Sequence, residues 1–505
     1  MGIQPPELEL PSPPAGDEPS LARRAAAGVA WEGLSYVLGK LLLLVSTVVL
    51  ARILVPHDFG VVGLAMVFVL FVEQITDLGV AEALVYFPRD RRRTDAAFAI
   101  TIGWSLTLAG LAFVTAPAVA RFFGGGEVAT IFRVLSIGLV LRGLTEVPDA
   151  LLRKDLGFRR KLVANLGQVL VQAVVSIILA AIGAGLWAIV AGYLAGSATW
   201  SVLAWSLVDY RPSTRFWRLD RATAAPLLRY GLPVAGEVLL LAVVFNVDYL
   251  VVGRRLGADP LAYYSLAFRV PQMVIINVLY VLGQVAFPVY ALARANRAEL
   301  RDAYLANVKV QSVYGVCAGV GLAVVAPMLV RVVFGQRWSP AIVAFEGLAL
   351  YCAFRSVGVS AGEVLKGVGR PLAAVVLALV RAAVLVPVLL LAVGSGIDAV
   401  AAAQAAVAFS LALIMETVAA RAVGVDTGTL ARALVPATVA GLATAAGAAV
   451  GRFVVPGPDA VRLVVGVLAG GGAGLGGLLV TDRALVSQLL SLARRPPRTR
   501  RAARA

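Results

Sequence analysis

Apolar residues in this chain do not form narrow stripes. They run unbroken for about twenty residues or more, then stop at short polar turns rich in arginine. A helix needs roughly 20 such residues to cross a hydrocarbon core of about 30 Å. The runs predict about fourteen membrane-spanning helices, at 25–51, 60–86, 95–120, 128–152, 159–182, 185–208, 230–252, 261–288, 303–327, 338–364, 371–393, 397–421, 430–451 and 460–480. The expected class is an all-α polytopic membrane protein. Alternate turns are basic. Arg89, Arg91, Arg92 and Arg93 follow the second span; Arg153, Lys154, Arg159, Arg160 and Lys161 follow the fourth. Arg211, Arg215, Arg218 and Arg221 follow the sixth, and Arg294, Arg297 and Arg301 the eighth. The positive-inside rule then places both termini in the cytoplasm.

The pattern also repeats. The stretch from Phe132, FRVLSIGLVLRGLTEVPDALLRKDLG, aligns without gaps on FEGLALYCAFRSVGVSAGEVLKGVGR from Phe345. Arg142 falls on Arg355, and Leu152 on Leu365. Earlier in each half, ARILVPHDFGVVGLA from Ala51 matches GRRLGADPLAYYSLA from Gly253. Six spans separate corresponding positions, so both halves enter the membrane alike, as parallel repeats do. The expected organisation is a cytoplasmic tail (1–24), a six-helix bundle (25–208), a basic linker (209–229), a second six-helix bundle (230–421), a terminal helix pair (422–482) and a basic tail (483–505).

Composition agrees. Hydrophobic residues make up 60% of the 505, too many for a soluble protein. The net charge of +16 would suggest nucleic acid in a soluble chain; here the cations flank spans, so anionic lipid at the cytoplasmic face is the expected partner and nucleic acid is not. His57 is the only histidine, and Cys317 and Cys352 lie inside predicted spans without metal spacing, so neither a metal nor a cofactor is expected. The N-terminal tail, Pro-rich and acidic, lacks the basic start and cleavage site of a signal peptide. No loop exceeds about 25 residues, which leaves no room for a soluble catalytic domain and argues against a membrane glycosyltransferase or polymerase.

Charges inside the spans carry the functional reading. A charge at mid-membrane costs at least about 2.5–3.5 kcal/mol and needs a partner, water or a task. Arg142, Arg355 and Arg381 lie near mid-depth and are candidates to line a central cavity and attract an anion. A guanidinium fork donates two hydrogen bonds at once and suits phosphate. Arg142 has a second reading, an ion pair with Glu146 one turn on. Arg381 has one too, a pair with an acid the sequence does not identify. Lys40 and Glu73 lie at similar depth on the first hairpin. They either lock the two spans together, or Lys40 serves a phosphate and Glu73 a proton. Asp248 and Arg269 are a similar pair on the seventh and eighth spans, and Asp77, towards the inner end of the second, is a further coupling-ion or pairing candidate for which solvation is the simpler account. Asp77-Leu78-Gly79 and Arg269-Val270-Pro271 are expected to break or bend their spans, as gating bends or as static kinks.

Four segments resemble a known family. HDFGVVGLAMVF (57–68), TDLGVAEALV (76–85), EVPDALLRKDLGFRRK (146–161) and GLWAIVAGYLAG (185–196) are similar to the second, fourth and sixth spans of bacterial oligosaccharide flippases. These form the polysaccharide-exporter branch of the MOP superfamily, which also holds multidrug and toxic-compound extruders and peptidoglycan-precursor flippases. The likeness covers about 25–420 and is strongest in the first half. It implies a transporter, not an enzyme. The implied substrate is an undecaprenyl-diphosphate-linked oligosaccharide, turned from the inner to the outer leaflet of the cell membrane by alternating access, with a polysaccharide polymerase and glycosyltransferases as working partners. The nearest competing reading is a peptidoglycan-precursor flippase. A multidrug extruder would take organic cations and need deep acids rather than deep arginines.

Overall fold

The structure is a computed structural model and describes residues 21–155, 158–217, 220–293 and 296–487. The terminal tails expected from the sequence lie largely outside the described residues. Helices α1 (Leu21–Ile53), α2 (Pro56–Glu73), α3 (Val80–Tyr86), α4 (Arg91–Phe123), α5 (Gly126–Lys154), α6 (Phe158–Ala181) and α7 (Leu186–Ser206) make the first half. The second comprises α8 (Arg221–Leu256), α9 (Ala258–Pro271), α10 (Asn277–Ala293), α11 (Arg297–Leu329), α12 (Ile342–Val357), α13 (Val359–Gly367), α14 (Pro371–Ala392) and α15 (Ile397–Val423). Helices α16 (Thr427–Ala449) and α17 (Asp459–Thr481) follow. Among the described residues, twelve helical segments are long and apolar enough to cross a membrane. They fall on twelve of the predicted spans; the first and seventh fall on α1 and α8, whose side chains are described only in part. Helix α8 starts at Arg221, capped by Asp220, inside the stretch read as linker.

Packing repeats with the sequence. In the first half α4 packs on α5, α5 on α7, α2 on α5, α1 on α6 and α6 on α7. In the second half the same partners meet as α11 on α12, α12 on α15, α9 on α12, α8 on α14 and α14 on α15. This is the geometry of a parallel repeat.

Both predicted breaks are present. The second span unwinds between α2 and α3, where Leu78 has φ 53° and Gly79 φ 71°. Loose backbone groups in a membrane must be satisfied internally, and here neighbours do so. Trp104 Nε1 donates to the Ile75 carbonyl at 2.8 Å, and both Asp77 carboxylate oxygens accept at 3.1 Å, from the Gly79 and Ala81 amides. In the eighth span Pro271 is followed by a wide π-helical stretch, Gln272–Ile276, before α10 resumes. Proline cannot donate the i→i−4 bond, which loosens the turns around it.

The two halves meet closely at the end that carries the α1–α2 and α8–α9 turns. Gly60 packs so tightly that a Cβ there would lie 2.1 Å from the Ala258 carbonyl oxygen. His57 Nδ1 lies 2.8 Å from Asp259 Oδ1, and Trp338 Nε1 donates to the Ala51 carbonyl at 2.9 Å. At the opposite, basic end the first turns of α8 press on α3: Gly231 abuts the Leu78–Gly79 backbone, and Tyr230 stacks on Tyr86 at 4.7 Å. Helices α16 and α17 lie against α11. Ion pairs fasten them, Lys309 of α11 to Asp482 at 2.9 Å and Glu346 of α12 to Arg452 at 2.9 Å. The Lys309 ammonium and the Leu485 amide hold the Asp482 carboxyl below the usual carboxylate range.

Candidate functional site

A cavity of about 860 Å³ lies between the halves, lined by α1, α2, α6 and α7 on one side and by α8, α9, α12, α14 and α15 on the other. Its wall contains four cations, Lys40, Arg269, Arg355 and Arg381; the carboxylate among the described lining residues is Asp248. Like charges gathered in a low-dielectric site repel, and each favours an incoming anion.

Tyr351 organises the arginines. It sits one helical turn before Arg355, which brings its hydroxyl within 2.8 Å of Arg355 Nη1. Arg381 Nη2 of α14 donates to the same oxygen at 2.6 Å. Both guanidinium carbons lie about 6 Å from the ring centroid, 6.0 Å for Arg355 and 5.9 Å for Arg381. Two positive forks from different helices are thus held side by side and aimed into one space. Asp248 lines the same cavity. It is buried and accepts from Tyr264 Oη and Gln404 Nε2, each at 2.8 Å. Asp248 is also the acid within electrostatic range of Arg381 that the sequence left unidentified. Lys40 lies within the same range of Arg269.

Comparison with known proteins agrees with this architecture. The profile of the family described as polysaccharide biosynthesis protein matches residues 49–343. The chain belongs to that family. The chain is 25% identical over 359 residues to the lipopolysaccharide biosynthesis protein WzxC of Escherichia coli (strain K12), a match that covers 70% of this chain and 71% of the relative. It is 28% identical over 365 residues to the succinoglycan biosynthesis transport protein ExoT of Rhizobium meliloti (strain 1021), 72% of this chain and 73% of the relative. In fold it is similar to the lipid II flippase MurJ in an inward closed conformation, with TM-score 0.69, 13% identity and coverage of 90% of this chain and 99% of that one. It is also similar to an inward-facing multidrug resistance MATE family transporter of the MOP superfamily, with TM-score 0.59, 18% identity and coverage of 79% and 94%.

The family member's other charges divide differently from the sequence expectation. Arg142 does not line the cavity: its Nε lies 2.6 Å from Glu146 Oε1. The repeat shows why. The position of Tyr351 is occupied in the first half by Gly138, where a Cβ would lie 2.8 Å from the Tyr193 ring. Arg142 therefore has no tyrosine one turn back and takes the carboxylate one turn ahead. Glu73 accepts a hydrogen bond from the Tyr193 hydroxyl, and no Lys40–Glu73 ion pair forms among the described residues. Asp248 is hydrogen-bonded to neutral groups rather than paired with Arg269. Asp77 accepts from the Gly79 and Ala81 amides, one with each oxygen, and so braces the break before α3. Tyr351 and Gln404 are not among the residues the sequence singles out. The i,i+4 spacing of Tyr351 and Arg355 is the signal that marks the first; nothing local marks the second.

If Arg142 and Glu146 are only a pair, Arg142→Met with Glu146→Met will leave transport within about twofold of wild type, since the exposed guanidinium and the buried carboxylate that balance each other are removed together. Glu146→Met alone will lower the yield of folded protein by leaving a charge unmatched. Transport assays and thermal unfolding of the purified variants check both.

Proposed function

We propose that this chain carries an undecaprenyl-diphosphate-linked oligosaccharide across the cell membrane, from the inner to the outer leaflet, as a transporter rather than an enzyme. The observation that carries this reading is the convergence of Lys40, Arg269, Arg355 and Arg381 on one cavity between two repeated bundles. A diphosphate is the anion such a set fits. Guanidinium forks match its oxygens in pairs, and the ammonium adds a point charge. The sugar head is too polar to cross lipid unaided, whereas the acyl tail can remain in it. A polar chamber exposed to each side in turn meets both needs. The names of WzxC and ExoT, biosynthesis of lipopolysaccharide and transport in succinoglycan biosynthesis, point the same way.

In this reading the basic turns and both termini face the cytoplasm, where anionic lipids hold them. The tight contact of α2 on α9 then closes the outer side. Inside-negative potential assists export by about 2.3 kcal/mol per anionic charge per 100 mV. Glycosyltransferases deliver the loaded lipid at the inner leaflet and a polymerase receives it outside.

Purified protein will bind undecaprenyl diphosphate, and the affinity will fall as salt rises. Tetraphenylphosphonium will not compete. Selective binding of that organic cation, with no binding of the diphosphate, would replace this reading with drug export.

A further inference from the structure

The two walls of the cavity differ in chemistry. The second half contributes the arginines, with amides such as Gln272 and Asn277 among them. The first contributes Lys40 of α1 and, along α6, uncharged polar groups only: Asn165, Gln168, Gln172 and Ser176 all line the same space. Spaced by three, four and four residues, they form one stripe along one helix face. At 1.5 Å per residue the stripe runs for roughly 16 Å.

The repeat sharpens the contrast. The alignment that superposes Phe132 on Phe345 also superposes α6 on α14, Gln168 on Arg381 and Gln172 on Leu385. All four of these side chains face the cavity. Where one half presents a guanidinium and a leucine, the other presents two carboxamides. Carboxamides inside a spanning helix are expensive and commonly serve to glue helices together. Gln168 and Gln172 do not: neither makes a side-chain hydrogen bond within the described residues. Their backbone is held instead. Glycines of α7 seat it, since a Cβ at Gly196 would lie 3.0 Å from the Gln168 carbonyl oxygen and one at Gly192 would lie 2.8 Å from that of Gln172. The helix is fixed and the carboxamides of Gln168 and Gln172 face the cavity.

We infer that the α6 stripe is a saccharide subsite, with Gln168 and Gln172 donating to and accepting from the hydroxyls of the oligosaccharide while the diphosphate rests on the arginines opposite. A carboxamide offers two donors and an acceptor, which matches vicinal hydroxyls and carries no charge to favour phosphate. The lipid-linked head thus lies across the cavity, phosphate toward the arginines and sugar toward α6. This rests on the proposed function and assigns the residues that read the sugar.

The test compares two lipids. One is undecaprenyl diphosphate. The other is the oligosaccharide-bearing form extracted from native-host cells that lack this gene. Wild type will bind the second about tenfold tighter or more. Gln168→Met with Gln172→Met will lose that preference, keep wild-type affinity for undecaprenyl diphosphate and unfold at the wild-type temperature. Arg355→Ala will weaken both ligands. Should the methionine pair fail to fold, Gln172→Leu, the residue type the repeat places there at 385, is measured in the same way, and loss of the preference is again expected. Retention of the full preference by the folded variant overturns the subsite, as does equal loss of both ligands. Binding of neither lipid by wild type overturns the proposed function itself, and the subsite with it.

Discussion

Replacing Arg355 with alanine stops transport and leaves a folded protein. The side chain reaches into the cavity from mid-helix and is held by the Tyr351 hydroxyl at 2.8 Å. A hydrogen bond to a charged group contributes about 1.5–3 kcal/mol, so each phosphate hydrogen bond that disappears weakens affinity roughly 10–100-fold. Stability moves the other way or not at all, because the cavity wall is relieved of one of several like charges. Arg355→Lys falls between, keeping the charge but losing the fork. Arg381→Ala will not add fully to Arg355→Ala, since both guanidinia share one hydroxyl and residues in one network couple. The measurements are flipping of a labelled lipid diphosphate in proteoliposomes and thermal unfolding in detergent. Normal flipping by a folded Arg355→Ala protein would remove Arg355 from the site.

Gly60→Val has the second large effect, on conformation rather than on binding. Helix α2 approaches α9 so closely at this residue that a Cβ would lie 2.1 Å from the Ala258 carbonyl oxygen and 2.9 Å from its Cα. Backbone cannot yield as a flexible side chain does. Overpacking of this kind costs about 1–3 kcal/mol, and here the halves can relieve it by parting. A bias of that size changes the ratio of closed to open forms by roughly 5–150-fold. The variant will turn over at a small fraction of the wild-type rate while still binding undecaprenyl diphosphate. A cysteine placed at Ala262, which lines the cavity, will become reactive to an impermeant thiol reagent from the α1–α2 end. Unchanged reactivity together with unchanged transport would mean that this contact does not open in the cycle.

Much of the fold could be read from the chain, for reasons that are local. An apolar run long enough to span lipid has few alternatives to a membrane helix, and the breaks at Leu78–Gly79 and Pro271 follow from residues that disrupt a helix wherever they occur. Duplication could be read because packing obeys the same pattern in both halves, α5 on α7 matching α12 on α15. The site was legible only in part. Arg355 and Arg381 are where a cavity needs them, yet Arg142, at the same repeat position as Arg355, is tied to Glu146. The difference comes from two neighbours: tyrosine at 351 against glycine at 138, and valine at 359 against glutamate at 146. The pairs expected from similar depth, Lys40 with Glu73 and Asp248 with Arg269, give way to Tyr193 on Glu73 and to Tyr264 and Gln404 on Asp248. Depth places a charge along the membrane normal and says nothing of the direction in which its helix turns it.

The amino-acid sequence by itself determined which segments are apolar enough to lie in lipid, which turns are basic, that the chain is built twice, and that several cations have to be accommodated far from water. Those properties depend on residues and their near neighbours, and the cost of moving a charge into hydrocarbon does not wait on the fold. Which cations share a chamber was decided by tertiary structure alone. It depends on how each helix is rotated against helices far away in the chain, and on whether a tyrosine, a carboxylate or a glycine happens to stand within reach.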